Sequence, residues 1–117
     1  MPADMQRCIQ DCVQCAQICV QTVQHCLEKG GRHAAPDHIR TLSDCADICG
    51  TSARFMLRGS ELHTETCRAC ATVCERCAES CERIADDEVM RRCADVCRRC
   101  AQSCREMAGA TPTIRAA

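Results

Sequence analysis

The residues with chemical potential are cysteines, and their spacing repeats. CxxxCxxCxxxC occurs as Cys8/Cys12/Cys15/Cys19, Cys70/Cys74/Cys77/Cys81 and Cys93/Cys97/Cys100/Cys104, and once in degraded form as Cys45/Cys49/Ser52/Met56. At about 100° of turn per residue, offsets of 4, 7 and 11 fall roughly 40°, −20° and 20° from the first position, so on a helix each quartet forms one narrow stripe of sulfur. Residues three or four apart on a helix place their Cβ atoms ~5–6 Å apart. Two sulfurs bound at ~2.3 Å on opposite sides of one ion stand ~4.6 Å apart, so one helix has the spacing to chelate a two-coordinate metal. Thiolate softness selects Cu(I) over Mg, Ca or Mn, and each thiol must lose its proton to bind.

Charge points the same way. A Zn(Cys)4 unit in a dry core buries a double negative charge, whereas a monovalent ion shared one-to-one with bridging thiolates gives a neutral assembly. Sulfur on continuous helices is expected to form no discrete foursomes of the zinc kind, and capacity is expected to approach the cysteine count, many Cu(I) ions per chain. The candidate ligands are Cys8, Cys12, Cys15, Cys19, Cys26, Cys45, Cys49, Cys67, Cys70, Cys74, Cys77, Cys81, Cys93, Cys97, Cys100 and Cys104.

Three other uses of the thiols compete with this one. A reduced cysteine is a small hydrophobe that packs a core without metal. Leucine, isoleucine and phenylalanine would pack a bundle better, so filling nearly every inward position with a reactive thiol has no stability rationale. Disulfides suit the geometry poorly, because neighbouring cysteines on one helix point in nearly parallel directions. Cys67 and Cys77 have the spacing of twin-cysteine helical hairpins, but the helices that would pair with them lack it. Thiol redox or iron–sulfur chemistry is the alternative of a different class, since CxxC recurs at Cys12/Cys15, Cys67/Cys70, Cys74/Cys77 and Cys97/Cys100. Iron–sulfur ligands sit on loops that wrap an inorganic core, whereas these motifs fall mid-helix.

The elements that must position the sulfur are marked by proline and glycine. Helix 1 is expected at about 3–29, stopped by Gly30 and Gly31; helix 2 at about 36–58, from Pro36 to the stop at Gly59; helix 3 at about 60–85, capped by Ser60; helix 4 at about 87–108, capped by Asp86 or Asp87, with 109–117 as a frayed tail. Short connections make neighbours antiparallel, so the fold class is all-α, an up-down-up-down four-helix bundle with a cysteine-lined core and one domain over 1–117. Each helix also carries a CAxΦC segment: Cys15–Cys19, Cys45–Cys49, Cys70–Cys74 and Cys93–Cys97, where Φ is Ile or Val. Alanine and the β-branched residue widen the buried face to the ~100° that a core-facing helix needs. Helices 3 and 4 align at an offset of 23 residues, CATVCERCAESCERIA against CADVCRRCAQSCREMA, as if one had been duplicated from the other.

Composition fits this plan. The 117 residues are 46% apolar and 26% charged, yet they include one phenylalanine, no tyrosine or tryptophan and 16 cysteines, so sulfur must supply much of the interior. A net charge of −1 with no long basic run argues against nucleic acid or an anionic membrane as partner. Charged and amide residues break up the stretch from Met1 to Val20, which therefore reads as neither export signal nor membrane span and places the protein in the cytoplasm, where thiols stay reduced. No nucleophile–base pair, phosphate loop or paired buried carboxylate marks an enzyme.

In these repeated CxxxCxxC helices, from about Met5 to Met107, the chain resembles the bacterial copper storage proteins, in particular their cytosolic branch. The resemblance implies Cu(I) held by core-facing thiolates, many ions per chain, no catalysis and assembly into homotetramers. The sixteen cysteines carry over as ligands. Ser52 and Met56 depart from the full pattern, so sites in their layer are expected to be weaker or absent.

Extending each stripe by a heptad adds Met5, Met56, His63 and Met107, all at one end of an antiparallel bundle. Thioether and imidazole bind Cu(I) without losing a proton, so this layer suits capture and hand-off of copper from a carrier such as a copper chaperone. The opposite end gathers Cys26, His38, Cys81 and Met90, a second candidate mouth. His25 and His33 are expected to face solvent.

Overall fold

A computed structural model of the chain describes residues 1–109, so the tail expected at 109–117 lies, from residue 110 on, outside the described residues. Four α-helices, α1 (Ala3–Lys29), α2 (Pro36–Leu57), α3 (His63–Glu82) and α4 (Glu88–Gly109), are joined by short connections, the first of which holds a 3-10 turn at Gly31–Ala34. Each helix packs against its neighbours in sequence, and α1 closes the ring against α4. Among the described residues the backbones of diagonal helices stay apart, and only side chains on the axis meet across the bundle, which is the topology of an up-down-up-down bundle.

The punctuation works largely as chemistry requires. Gly30 ends α1 at φ +75° with its N–H on the Cys26 carbonyl. Pro36 occupies the first turn of α2. At the other end of α2, Gly59 adopts φ +71° while its N–H bonds Met56 O and the Ser60 N–H bonds Phe55 O, both at 3.0 Å. This pair of bonds is a Schellman closure, which needs a left-handed residue and so favours glycine. Asp87 caps α4, its Oδ1 accepting the Met90 N–H at 2.9 Å.

Helix 3 is shorter than expected at both ends. Ser60 does not cap it: the Ser60 hydroxyl accepts the Leu62 N–H at 3.1 Å and its carbonyl accepts the His63 N–H at 3.2 Å, so Ser60–Leu62 form a turn and the helix begins at His63. Leaving the Schellman closure takes these residues, and the C-terminal end stops at Glu82 rather than near Ala85.

Every one of the sixteen cysteines is fully buried. Small residues flank the sulfur on the helix seams, including Ala71 and Ala78 on α3 and Ala94 and Ala101 on α4, each spaced by seven. Larger apolar side chains, Leu42, Met56 and Met90, fill the positions where the stripes lack cysteine or approach the ends.

Gly50 lies inside α2, where an added Cβ would meet only the end of the Arg54 side chain at 3.5 Å. Gly50→Ala should stabilise the metal-free protein by up to ~1 kcal/mol, and Gly59→Ala should destabilise it by ~1 kcal/mol. Chemical denaturation under reducing conditions checks both signs.

Candidate metal centre

The helical stripes converge on one axis. Neighbouring Sγ atoms stand 3.5–4.0 Å apart along it: Cys8–Cys104 at 3.6 Å, Cys12–Cys104 at 3.5 Å, Cys12–Cys100 at 3.7 Å, Cys49–Cys100 at 3.8 Å, Cys49–Cys70 and Cys49–Cys74 at 3.5 Å, Cys45–Cys74 at 3.7 Å, Cys15–Cys45 and Cys15–Cys97 at 3.8 Å, and Cys19–Cys97 at 3.9 Å. All sixteen cysteines are free thiols. The i,i+4 pairs Cys15–Cys19, Cys45–Cys49, Cys70–Cys74 and Cys100–Cys104 stand 3.8–4.0 Å apart within single helices, and the contacts between helices join them into a shared column.

The sulfurs do gather in fours, but not in the discrete foursomes of a zinc site. Foursomes do form: Cys12/Cys70/Cys100/Cys104, Cys15/Cys49/Cys74/Cys100, Cys15/Cys19/Cys45/Cys97 and Cys19/Cys77/Cys93/Cys97 each have all sulfurs within 4.8 Å of one another, as does the trio Cys8/Cys67/Cys104. Interdigitation of four stripes brings one or two sulfurs from three or four helices to each level, which single-helix geometry does not reveal. The foursomes are not discrete, because Cys15, Cys19, Cys97 and Cys100 each belong to two of them. These separations match the ~3.8–4.0 Å edge of a three- or four-sulfur site with ~2.3 Å bonds better than the ~4.6 Å of a linear one. Sulfurs shared in this way could bridge, and monovalent ions so bridged would neutralise the column where isolated divalent sites would leave charge in a dry interior.

The missing fourth quartet is visible in the packing. Ser52 is fully buried, with its hydroxyl 3.3 Å from both Cys67 Sγ and Thr66 Oγ1. Cys67 also donates to Met56 Sδ at 3.8 Å. A hydroxyl and a thioether thus surround Cys67 where the repeat would have supplied a thiol. At this same end Met107 is buried and Met5 packs half-buried on the core, while His63 turns its Nδ1 to the Ser60 carbonyl at 2.8 Å.

The opposite end is more tightly assembled. Cys26 Sγ lies 3.5 Å from His38 Nε2, 3.7 Å from His33 Nδ1 and 3.6 Å from Met90 Sδ. Its outer partners fix both rings: His38 Nδ1 is 2.6 Å from Ser80 Oγ, and His33 Nε2 is 3.0 Å from Asp86 Oδ1. Such a partner on one ring nitrogen orients the other toward a ligand-binding role. The expectation that His33 faces solvent is wrong. It is only 4% exposed, because the 3-10 turn after Gly30 folds it back over the bundle end. Loop position gave no periodic signal for this, although two histidines within thirteen residues of Cys26 were a clue. His25 is half-buried and bonds Asp87 Oδ2 at 2.9 Å rather than standing free in water.

Protonation follows the packing. Burial pushes the Cys26 thiol up to about 11. Cys104 pulls Cys67 down, but Cys8 and burial outweigh it and carry that thiol to about 11 as well. Within the column the thiols split: Cys15 and Cys70 are lowered by hydrogen bonds from neighbours, with Cys100 foremost, while Cys49 and Cys104 are raised, again with Cys100 foremost. Burial lowers His38, which keeps its imidazole neutral and able to bind a soft cation.

The sequence model of the family described as copper storage protein matches residues 1–109. No curated protein matches the chain. Among solved structures, a Nitrosospira multiformis protein is 42% identical with a TM-score of 0.86, covering 92% of this chain and 97% of its own. The Cu(I)-bound copper storage protein BsCsp3 is 34% identical with a TM-score of 0.85, at 91% and 99% coverage. A cytosolic copper storage protein from Streptomyces lividans, carrying five coppers, is 34% identical with a TM-score of 0.80, at 92% and 94% coverage. Among the described residues no helix is long and apolar enough to cross a membrane.

The shifts at Cys26 and His38 set a stability window for the metal-free fold. An unfolded Cys26 loses its proton near 9.0 and the folded one near 11, so stability falls as pH climbs through that interval. An unfolded His38 gains its proton near 6.5, above the folded group, so stability falls as pH drops below that value. Tm measured under reductant should peak between 6.5 and 9.0; a Tm still rising at pH 11 would contradict the assignment.

Proposed function

The chain belongs to the copper storage protein family, and from that premise we propose that it stores or sequesters many Cu(I) ions on the thiolates of its core. The observation that carries this reading is the continuous column of fully buried free thiols at 3.5–4.0 Å separations. The sixteen cysteines are the ligands, with Cys15, Cys19, Cys97 and Cys100 as bridges between successive groups. Met5, Met56, His63 and Met107 are auxiliary ligands at one end. Cys26, His33, His38 and Met90 form a mouth at the other, where the imidazoles and a thioether offer nitrogen and sulfur ligands beside the thiol. The protein binds rather than transforms its cargo, acts as one domain, and works in the cytosol, as does the Streptomyces relative by its description. Copper arrives from a carrier such as a chaperone.

We also propose homotetramer assembly. Val13, Val20 and Leu27 lie at seven-residue spacing on the outer face of α1 and are 40%, 61% and 54% exposed, an apolar stripe suited to a second copy. Val20→Glu with Leu27→Glu should reduce the assembly to monomers by light scattering, with copper capacity retained.

Anaerobic titration with Cu(I) tests the main proposal. Uptake should approach one ion per thiolate, with about one proton released for each, and the loaded protein should show no iron–sulfur absorption. Saturation at one or two equivalents would favour the thiol-redox alternative. Ser52→Cys should raise the endpoint by adding a third thiol to the fourth quartet, whereas Ser52→Ala should leave it unchanged.

A further inference from the structure

A groove of about 420 Å³ opens on the outside of the α2–α3 seam, walled by Asp37, Arg40, Asp44, Arg76 and Arg83 with Ser80 at its floor. Its volume falls in the range of small-molecule sites, but its lining is charged rather than apolar. Arg40 and Asp37 offset each other, with Arg40 Nη1 donating to Asp37 Oδ1 at 2.9 Å. That leaves the guanidiniums of Arg76 and Arg83 and the carboxylate of Asp44, none of which has a hydrogen-bond or ion-pair partner among the described residues. Arginines elsewhere on α3 and α4, such as Arg68, Arg98 and Arg105, are paired with Glu65, Glu82 and Glu75.

The floor connects this groove to the sulfur column. Ser80 is 6% exposed; its hydroxyl is 2.6 Å from His38 Nδ1, and the other nitrogen of that ring is 3.5 Å from Cys26 Sγ. Asp37 is the second residue of α2 and Arg83 follows the last residue of α3, so the groove reaches the bundle end where Cys26, His33, His38 and Met90 converge. Arg76 and Arg83 are two helical turns apart, roughly 10 Å along the axis. An extended tripeptide spans about the same distance.

Two free guanidiniums and one free carboxylate complement a molecule with two carboxylates and one ammonium. We propose that the groove docks a small peptide thiol of that charge pattern, which exchanges Cu(I) with the Cys26 cluster; this deepens, and rests on, the storage reading. The exchange is a ligand substitution. The bond from copper to the carrier's sulfur breaks as a bond to Cys26 Sγ forms, the Cys26 proton passes to the departing carrier thiolate, and copper stays monovalent.

The full chain tests this with glutathione, which has the required groups. S-methylglutathione keeps the charges but lacks a thiol; it should bind the metal-free protein saturably in an NMR titration, shift resonances around Ser80, and lose affinity as salt is added. In stopped-flow loading, Arg76→Gln with Arg83→Gln should raise the half-saturating concentration of Cu(I)–glutathione by ~5-fold, as expected for two lost exposed ion pairs, while loading from Cu(I) complexed by uncharged 2-mercaptoethanol and the final copper content stay unchanged. Absence of saturable S-methylglutathione binding to the unaltered chain overturns the proposal whether or not the double variant folds, as does equal slowing with both donors. A wild-type chain that takes no Cu(I) from either donor overturns the storage reading itself, and S-methylglutathione binding then reports on the groove alone.

Discussion

The structure depends on keeping sixteen reduced thiols out of water on one axis. Sulfur there is the packing material of a core almost without aromatic residues and, on the proposed reading, a continuous set of soft ligands. The two roles impose one condition. A neutral thiol packs as a hydrophobe, but a bound thiolate carries charge into a low-dielectric interior, so the charge must be matched ion for ion. Sharing of Cys15, Cys19, Cys97 and Cys100 between groups makes that matching natural for monovalent ions and awkward for divalent ones.

Around this column the four helices form a sleeve. Alanines on the α3 and α4 seams let helices approach closely, and surface ion pairs such as Arg98–Glu82, where Arg98 Nη2 lies 2.8 Å from the carboxylate, run across the α3–α4 seam outside it. The two ends differ in kind. One is plugged by Met56 and Met107, the other carries two oriented imidazoles backed by Ser80 and Asp86. The proposed exchange is at the second, where these ligands and the charged groove meet, rather than at the Met5, Met56, His63 and Met107 layer that the sequence pattern suggested.

Much of this was legible in the chain. Offsets of four and seven place sulfur on one face of a helix whatever the neighbours do, so the bundle, its punctuation at Gly30, Pro36, Gly59 and Asp87, and the burial of every cysteine followed from local rules. What was not legible arises from pairing between elements. The foursomes depend on the axial offset between stripes, which no single helix contains. His33 enters the site through a 3-10 turn whose geometry the hydrophobic pattern does not encode. Ser60 has the chemistry of a helix cap, but the Schellman closure of α2 claims its backbone first. The groove at Arg76 and Arg83 reads in sequence as ordinary solvated charge; only the absence of partners and the buried Ser80 beneath it set it apart.

The central claim is that the column binds copper as bridged thiolate clusters. X-ray absorption at the copper edge of the fully loaded chain tests it most directly. A first shell of sulfur alone, with three neighbours at about 2.3 Å and a strong copper–copper contribution, is the expected result. A shell dominated by nitrogen or oxygen, or isolated copper ions without metal–metal scattering, would contradict the account.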